Sequence, residues 1–167
     1  MKTGAVRVRT VLLLLVATIV SADALRADSI VPSAYRIAAA KHEIPPRLLY
    51  AVALAESGRA IETIRRPWPW TLNIAGQGHY FDSRVAAWQA LDETLRAGQD
   101  RVDVGLMQIN WRYHRHSLGN AWMALEPYHN LAVGADILSR CYRERREWWA
   151  SVGCYHAPSN AKRARLY

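Results

Sequence analysis

Val52-Ala53-Leu54-Ala55-Glu56-Ser57-Gly58 reads as the end of a helix of small apolar residues that carries one carboxylate in its last turn. Pro45-Pro46 marks the start, because proline fits the first helical position and fixes φ there. Gly58 is a natural stop, since glycine adopts the left-handed conformation that ends many helices. Between these marks Leu49, Val52, Ala53 and Glu56 fall at i, i+3, i+4 and i+7, on one face. Glu56 therefore shares the apolar stripe. The negative end of the helix dipole and partial burial both oppose its ionisation, so its pKa is expected above that of an ordinary Glu. A carboxylic acid that keeps its proton near neutral pH can serve as a general acid. The plain alternative is an exposed Glu at a frayed helix end, and the rest of the chain has to decide between them.

The chain has 167 residues, the length of one domain. Its beginning has the pattern of a secretory signal, with Lys2, Arg7 and Arg9 before the apolar run Val11 to Val20. Small residues follow at Ser21, Ala22 and Ala24. The run is about half of the roughly 20 residues that span a bilayer, so an uncleaved anchor is the lesser reading. The expected division is a signal over residues 1–22 and one domain over 30–167, placed in the periplasm. The formal charge is +8, and loss of the three basic signal residues leaves +5. A basic surface suits anionic polymers in general. No nucleic-acid motif is present, and an anionic wall polymer or membrane surface fits an exported chain better.

Cys141 and Cys154 lie on neighbouring helical patterns. In an exported protein they fit a disulfide and, nearly as well, two buried thiols. No Cys/His group has metal-ligand spacing, so neither metal nor cofactor is expected.

There is no repeat and no low-complexity tract. Ser33 to Lys41 forms a short amphipathic helix through Ala34, Ile37, Ala38 and Lys41. Arg66-Pro67-Trp68-Pro69-Trp70 breaks any helix, and Trp70, Leu72 and Ile74 then alternate as in a strand. Gly76-Gln77-Gly78 supplies a turn and His79-Tyr80-Phe81 a return strand. Asp82-Ser83 caps a helix with Val85, Trp88, Leu91 and Leu95 inward and Gly98 at its end. Leu106 to Asn110 lies on or just before a short helix, Pro127 opens a long one, and Cys154-Tyr155-His156 belongs to the last. The expected class is α+β, predominantly α, with one small β-hairpin facing a helical lobe across a cleft.

The second informative stretch is Val102-Asp103-Val104-Gly105-Leu106-Met107-Gln108-Ile109-Asn110. "AESG", then "GLMQIN", "NLAVGADIL" and "CYHAP", in that order, resemble the lysozyme-like lytic transglycosylases, the SLT-domain family. The small specialised members that accompany type IV secretion, pilus and conjugation machines are most similar. The resemblance runs from about Pro46 to Pro158 and implies a lysozyme-like fold acting on peptidoglycan glycan strands as a monomer. It makes Glu56 the catalytic acid and base. Ser57 would hydrogen-bond near the scissile bond, Met107 and Gln108 would line the sugar subsites, and Tyr155 would bring its hydroxyl near the carboxyl. Asn130 would take a structural role. Read alone, Met107 fits a core position, Asn130 a helix cap and Tyr155 a buried tyrosine.

Three departures stand out. The family's "AYNAG" is Cys154-Tyr155-His156-Ala157-Pro158 here, the segment between Glu56 and Gly105 is longer, and the serine-and-alanine stretch before "GLMQ" is missing. In the longer segment Trp68, Trp70, His79 and Tyr80 either form a lip over a sugar cleft or close the hairpin onto the core. His79 is given no catalytic role.

"VDVGLMQIN" also resembles the "DYGxxQIN" stretch of animal lysozymes, which makes Asp103 a possible second carboxylate. In those enzymes a protonated glutamic acid works opposite an ionised aspartate, and that pairing is the pattern for the alternative. Three functions result. In a lytic transglycosylase Glu56 works alone and the product ends in 1,6-anhydro-N-acetylmuramic acid. In a muramidase Glu56 and Asp103 act together with water. A peptidoglycan-binding assembly factor would catalyse nothing.

Overall fold

The helix read from VALAESG forms, and its two ends behave differently. The computed structural model describes residues 31–157, so the signal expected over residues 1–22 lies outside the described residues. After α1 (Ser33–Lys41), helix α2 (Pro46–Ser57) starts with Pro46 in its first turn. It buries Leu49, Val52, Ala53 and Ser57. Gly58 does not take the expected left-handed conformation; at φ −61° and ψ 118° it is already extended. Its reason is space. A Cβ there would lie 2.3 Å from the Leu54 carbonyl oxygen and 2.4 Å from Arg65 Nε.

In α1 the buried face also differs from the expectation. Tyr35 and Ala39 point inward, with Tyr35 edge-on to Tyr50, while Ile37 is 71% exposed. Two positions four apart suffice to seat so short a helix, and they outweigh one isoleucine.

Gly58 leads directly into a hairpin of β1 (Gly58–Ile61) and β2 (Ile64–Pro67), with Ile61 opposite Ile64. It had no alternating pattern to reveal it. The expected hairpin is present as β3 (Thr71–Ile74) and β4 (Gln77–Tyr80). Its reversal falls at Ala75-Gly76, both at positive φ. This hairpin is half of a four-stranded antiparallel sheet of order β4-β3-β5-β6, completed by β5 (Val102–Val104) and β6 (Ile109–Asn110). The β part is thus larger than one hairpin, within the expected α+β, mainly helical class. Leu72, Val104 and Ile109 cross one face into the core. Asn73, Asp103 and Asn110 form a row on the other.

Helix α3 (Arg84–Arg96) is capped by Ser83, whose Oγ accepts from the Ala86 N–H. Ala87 and Leu91 fill its buried side and Trp88 is half-buried, whereas Val85 is exposed, contrary to the expected face. After α4 (Trp111–Leu118) and α5 (Ala121–Ala124) comes the long α6 (Pro127–Arg145). Its cap is Glu126, which accepts from Tyr128 N and His129 N, so Asn130 is not the cap. Arg146 turns the chain in a left-handed conformation into α7 (Trp148–His156), capped by Glu147. Cys141 and Cys154 form a disulfide that joins α6 to α7.

Candidate active site

The motif Gly105-Leu106-Met107-Gln108 forms the tight turn between β5 and β6, with Gly105 at φ 80° and Gln108 at φ 44°. Its carbonyls are satisfied one after another by side chains. Val104 O accepts from Asn130 Nδ2 at 2.9 Å, and Gly105 O from Gln108 Nε2 at 2.9 Å. Leu106 O accepts from Ser57 Oγ at 2.7 Å, and Met107 O from the Tyr155 hydroxyl at 2.6 Å. The Met107 N–H donates to Asn130 Oδ1 at 2.9 Å, and Asn130 Nδ2 also reaches Ala124 O. Asn130 is buried with its amide fully employed, so its role is structural. Gly105 is required twice over, by its positive φ and because a Cβ would lie 2.5 Å from Asn130 Nδ2.

This lattice decides what the expected site residues can do. Ser57 is fully buried, and its hydroxyl is directed at the backbone oxygens of Leu106 and Ala53. Met107 is also fully buried and packs on Gly134, where a Cβ would meet its Cγ at 2.5 Å. Both were expected to touch sugar; both lie beneath the surface, because the turn needs Ser57 as a donor and α6 needs Met107 as filling. Gln108 is half-buried, its Nε2 spent on Gly105 O and Thr71 O. Its side-chain oxygen is the group it has left to offer a ligand. Tyr155 is half-buried, with its hydroxyl on the turn.

Glu56 and His156 meet as a consequence. Their neighbours Ser57 and Tyr155 are bound to the consecutive carbonyls of Leu106 and Met107, which draws the ends of α2 and α7 together. His156 Nδ1 lies 3.4 Å from Glu56 Oε1. The two side chains are 26% and 13% exposed, so the carboxyl is largely screened from water yet reachable. The contact spans 100 residues, and only the departure at "CYHAP" hinted that position 156 was unusual.

Asp103 is half-buried on β5 and accepts from Asn110 Nδ2 at 2.8 Å. Burial pushes its pKa up, against the Asn110 hydrogen bond and the positive charge of His156, which both pull it down. His156 is therefore within electrostatic reach of both carboxylates. Beside Asp103 in the sheet row, Asn73 Oδ1 and Asn110 Oδ1 are buried with no hydrogen-bond partner among the described residues.

The aromatic segment divides. Trp68 donates from Nε1 to Phe81 O at 2.6 Å and sits edge-on to Trp70, which packs against the core. Tyr80 is exposed and donates to Gly58 O at 3.4 Å, reaching over the end of α2, and His79 stacks on Phe81. A hollow of about 480 Å³ between α3 and α5, lined by Val85, Trp88, Asp92, Asn120, Ala121 and Trp122, contains none of the residues around Glu56. Among the described residues no group of three or more His, Cys, Asp or Glu could hold a metal ion.

The sequence model described as "Transglycosylase SLT domain" matches residues 33–166. No curated protein and no solved structure matches the chain. The match covers most of the chain, and the protein belongs to the transglycosylase SLT family, whose members are lytic transglycosylases acting on peptidoglycan.

Proposed function

We propose that this chain is a peptidoglycan lytic transglycosylase that cleaves the β-1,4 bond between N-acetylmuramic acid and N-acetylglucosamine, with Glu56 as general acid and then base. The observation that carries the reading is the placement of Glu56. It is a nearly buried carboxyl at the end of an apolar helix, fixed beside a turn whose backbone is bonded from all sides. Glu56 gives its proton to the glycosidic oxygen as the C1–O bond breaks. The muramoyl C6 hydroxyl oxygen then bonds to C1, its proton passes to the Glu56 carboxylate, and a 1,6-anhydro ring closes. No water is consumed and no second carboxylate is needed. Gln108, through its side-chain oxygen, and the half-buried Tyr155 are the motif residues that fit substrate contact.

The setting belongs to the same proposal. The signal pattern and the Cys141–Cys154 bridge support a periplasmic location, where disulfides persist. Resemblance to the small specialised members supports local opening of the wall for an envelope-spanning secretion or conjugation apparatus, by a monomer.

One observation favours the muramidase alternative: Asp103 lies within reach of the imidazole that contacts Glu56. Digestion of purified peptidoglycan by the wild-type protein and by Glu56→Gln, read by mass spectrometry, separates the readings. Muropeptides with 1,6-anhydro ends that vanish with Glu56→Gln are expected. Products heavier by one water would make the protein a hydrolase and bring Asp103 into the chemistry. No products from either protein would leave a binding factor.

A further inference from the structure

We propose that His156 is a positioning residue for Glu56 that also sets the pH range over which Glu56 holds its transferable proton. The placement is built, not incidental. The Tyr155 hydroxyl fixes the end of α7 on Met107 O, and the disulfide at Cys154 fixes the same end to α6. With the chain anchored at Cys154 and Tyr155, His156 is carried to the end of α2, where its Nδ1 lies 3.4 Å from Glu56 Oε1. An imidazole there plays two roles. Charged, it donates to a Glu56 carboxylate and favours the anion. Neutral, it accepts the proton of a Glu56 carboxylic acid and holds that acid in one orientation.

Charged groups on the neighbouring elements have partners or neighbours of their own. Asp103 on β5 lies within electrostatic reach of His156 from the sheet. Arg65 on β2 lies beside Gly58, and Arg59 on β1 is paired with Asp82. On α6, Arg140 pairs with Asp136 and Arg143 donates to Ser139. His156 is a titrating group in direct contact with the proposed acid.

The sign follows from linkage between the two groups. While His156 is charged it lowers the pKa of Glu56, so replacing it by an uncharged residue raises that pKa. The acid form of Glu56 then persists to higher pH. This inference rests on the reading of Glu56 as the acid, and its test has one arm that does not depend on activity. The His156 ring is followed by NMR through a pH titration of the wild type and of Glu56→Gln, its signal identified by loss in His156→Asn. The His156 midpoint should fall by about half a pH unit or more in Glu56→Gln. An unchanged midpoint overturns the proposal.

In the second arm, kcat for peptidoglycan is measured against pH for the wild type, His156→Asn and His156→Gln. The high-pH limb should move up in both variants, with KM little changed. Superimposable profiles would reduce His156 to a structural residue and overturn its role. Absence of digestion by the wild type at every pH would remove the reading of Glu56, while the NMR titration would still decide whether the pair is coupled.

Discussion

The turn that carries Gly105 to Gln108 and the hairpin β1–β2 are both short reversals, and they are held in opposite ways. In the turn, four successive carbonyls accept from four different side chains, three of them from α2, α6 and α7. In the hairpin, Ala60 to Arg66 are exposed and the strands are held by their own ladder, with Gly58 tucked against Leu54 and Arg65 at its base. Glu56 sits at the junction, two residues before the hairpin and beside the turn. The difference indicates where rigidity is needed. A proton donor, the role proposed for Glu56, has to be held to within a fraction of an ångström, and long-range side-chain bonds achieve that better than an exposed ribbon.

Substitutions can test that contrast. Gly105→Ala should do the greatest damage, since it forces a strained φ and drives a methyl into Asn130. A loss of about 4 kcal/mol is expected, with thermal unfolding more than about 10 °C lower by circular dichroism. If Gly105→Ala unfolds like the wild type, the turn is not the rigid frame described. Replacing both Cys141 and Cys154 by Ala should cost about 3 kcal/mol, the chain-entropy value for a loop of about this length. That variant also loosens the end of α7, so its activity should fall further than its stability alone accounts for at a temperature where it remains folded. Ser57→Ala leaves Leu106 O without its buried donor and should cost about 1–2 kcal/mol in denaturant unfolding. At the other extreme, Ile64→Thr on the exposed hairpin should stay within about 0.5 kcal/mol of the wild type. A large effect there would erase the contrast.

Asp103 gives a prediction with a pH signature. Its folded pKa is raised, so the stability it contributes is present when it is protonated at low pH and is lost as pH rises through the folded pKa. Near neutral pH the half-buried carboxylate is a cost. Asp103→Asn keeps an acceptor for Asn110 and should unfold at a higher temperature than the wild type at pH 7. The gap should close as the pH approaches the ordinary Asp value of about 3.9. A gap independent of pH would mean that burial is not what perturbs Asp103.

Much of the helical frame was legible because it rests on local chemistry. Pro45-Pro46, Ser83 and Pro127 mark helix starts by rules of φ and capping, and the alternation of Leu72 and Ile74 marks a strand. The hairpin β1–β2 was not legible, since a ribbon exposed on both faces has no period of hydrophobicity. Gly58 invited a left-handed reading, while its actual constraint is a close approach by Leu54 and Arg65, which no local rule reveals. Within the candidate site, the motifs name residues that the fold brings together, without telling which side chains turn inward. The family resemblance implies sugar-facing roles for Ser57 and Met107, which adjoin Glu56 and Gln108. They are buried because the turn needs a donor beneath it and Gly134 leaves room for a thioether. The His156–Glu56 contact depends on two hydrogen bonds to consecutive carbonyls, a tertiary fact that spacing cannot encode.

The most direct test of the account is digestion of peptidoglycan in water enriched in oxygen-18, with every new muramoyl end examined by mass spectrometry. If Glu56 alone carries the proton and the C6 hydroxyl closes the ring, the new ends contain no label. Oxygen-18 at the muramoyl C1 would show that water completes the cleavage and would contradict a one-carboxylate mechanism.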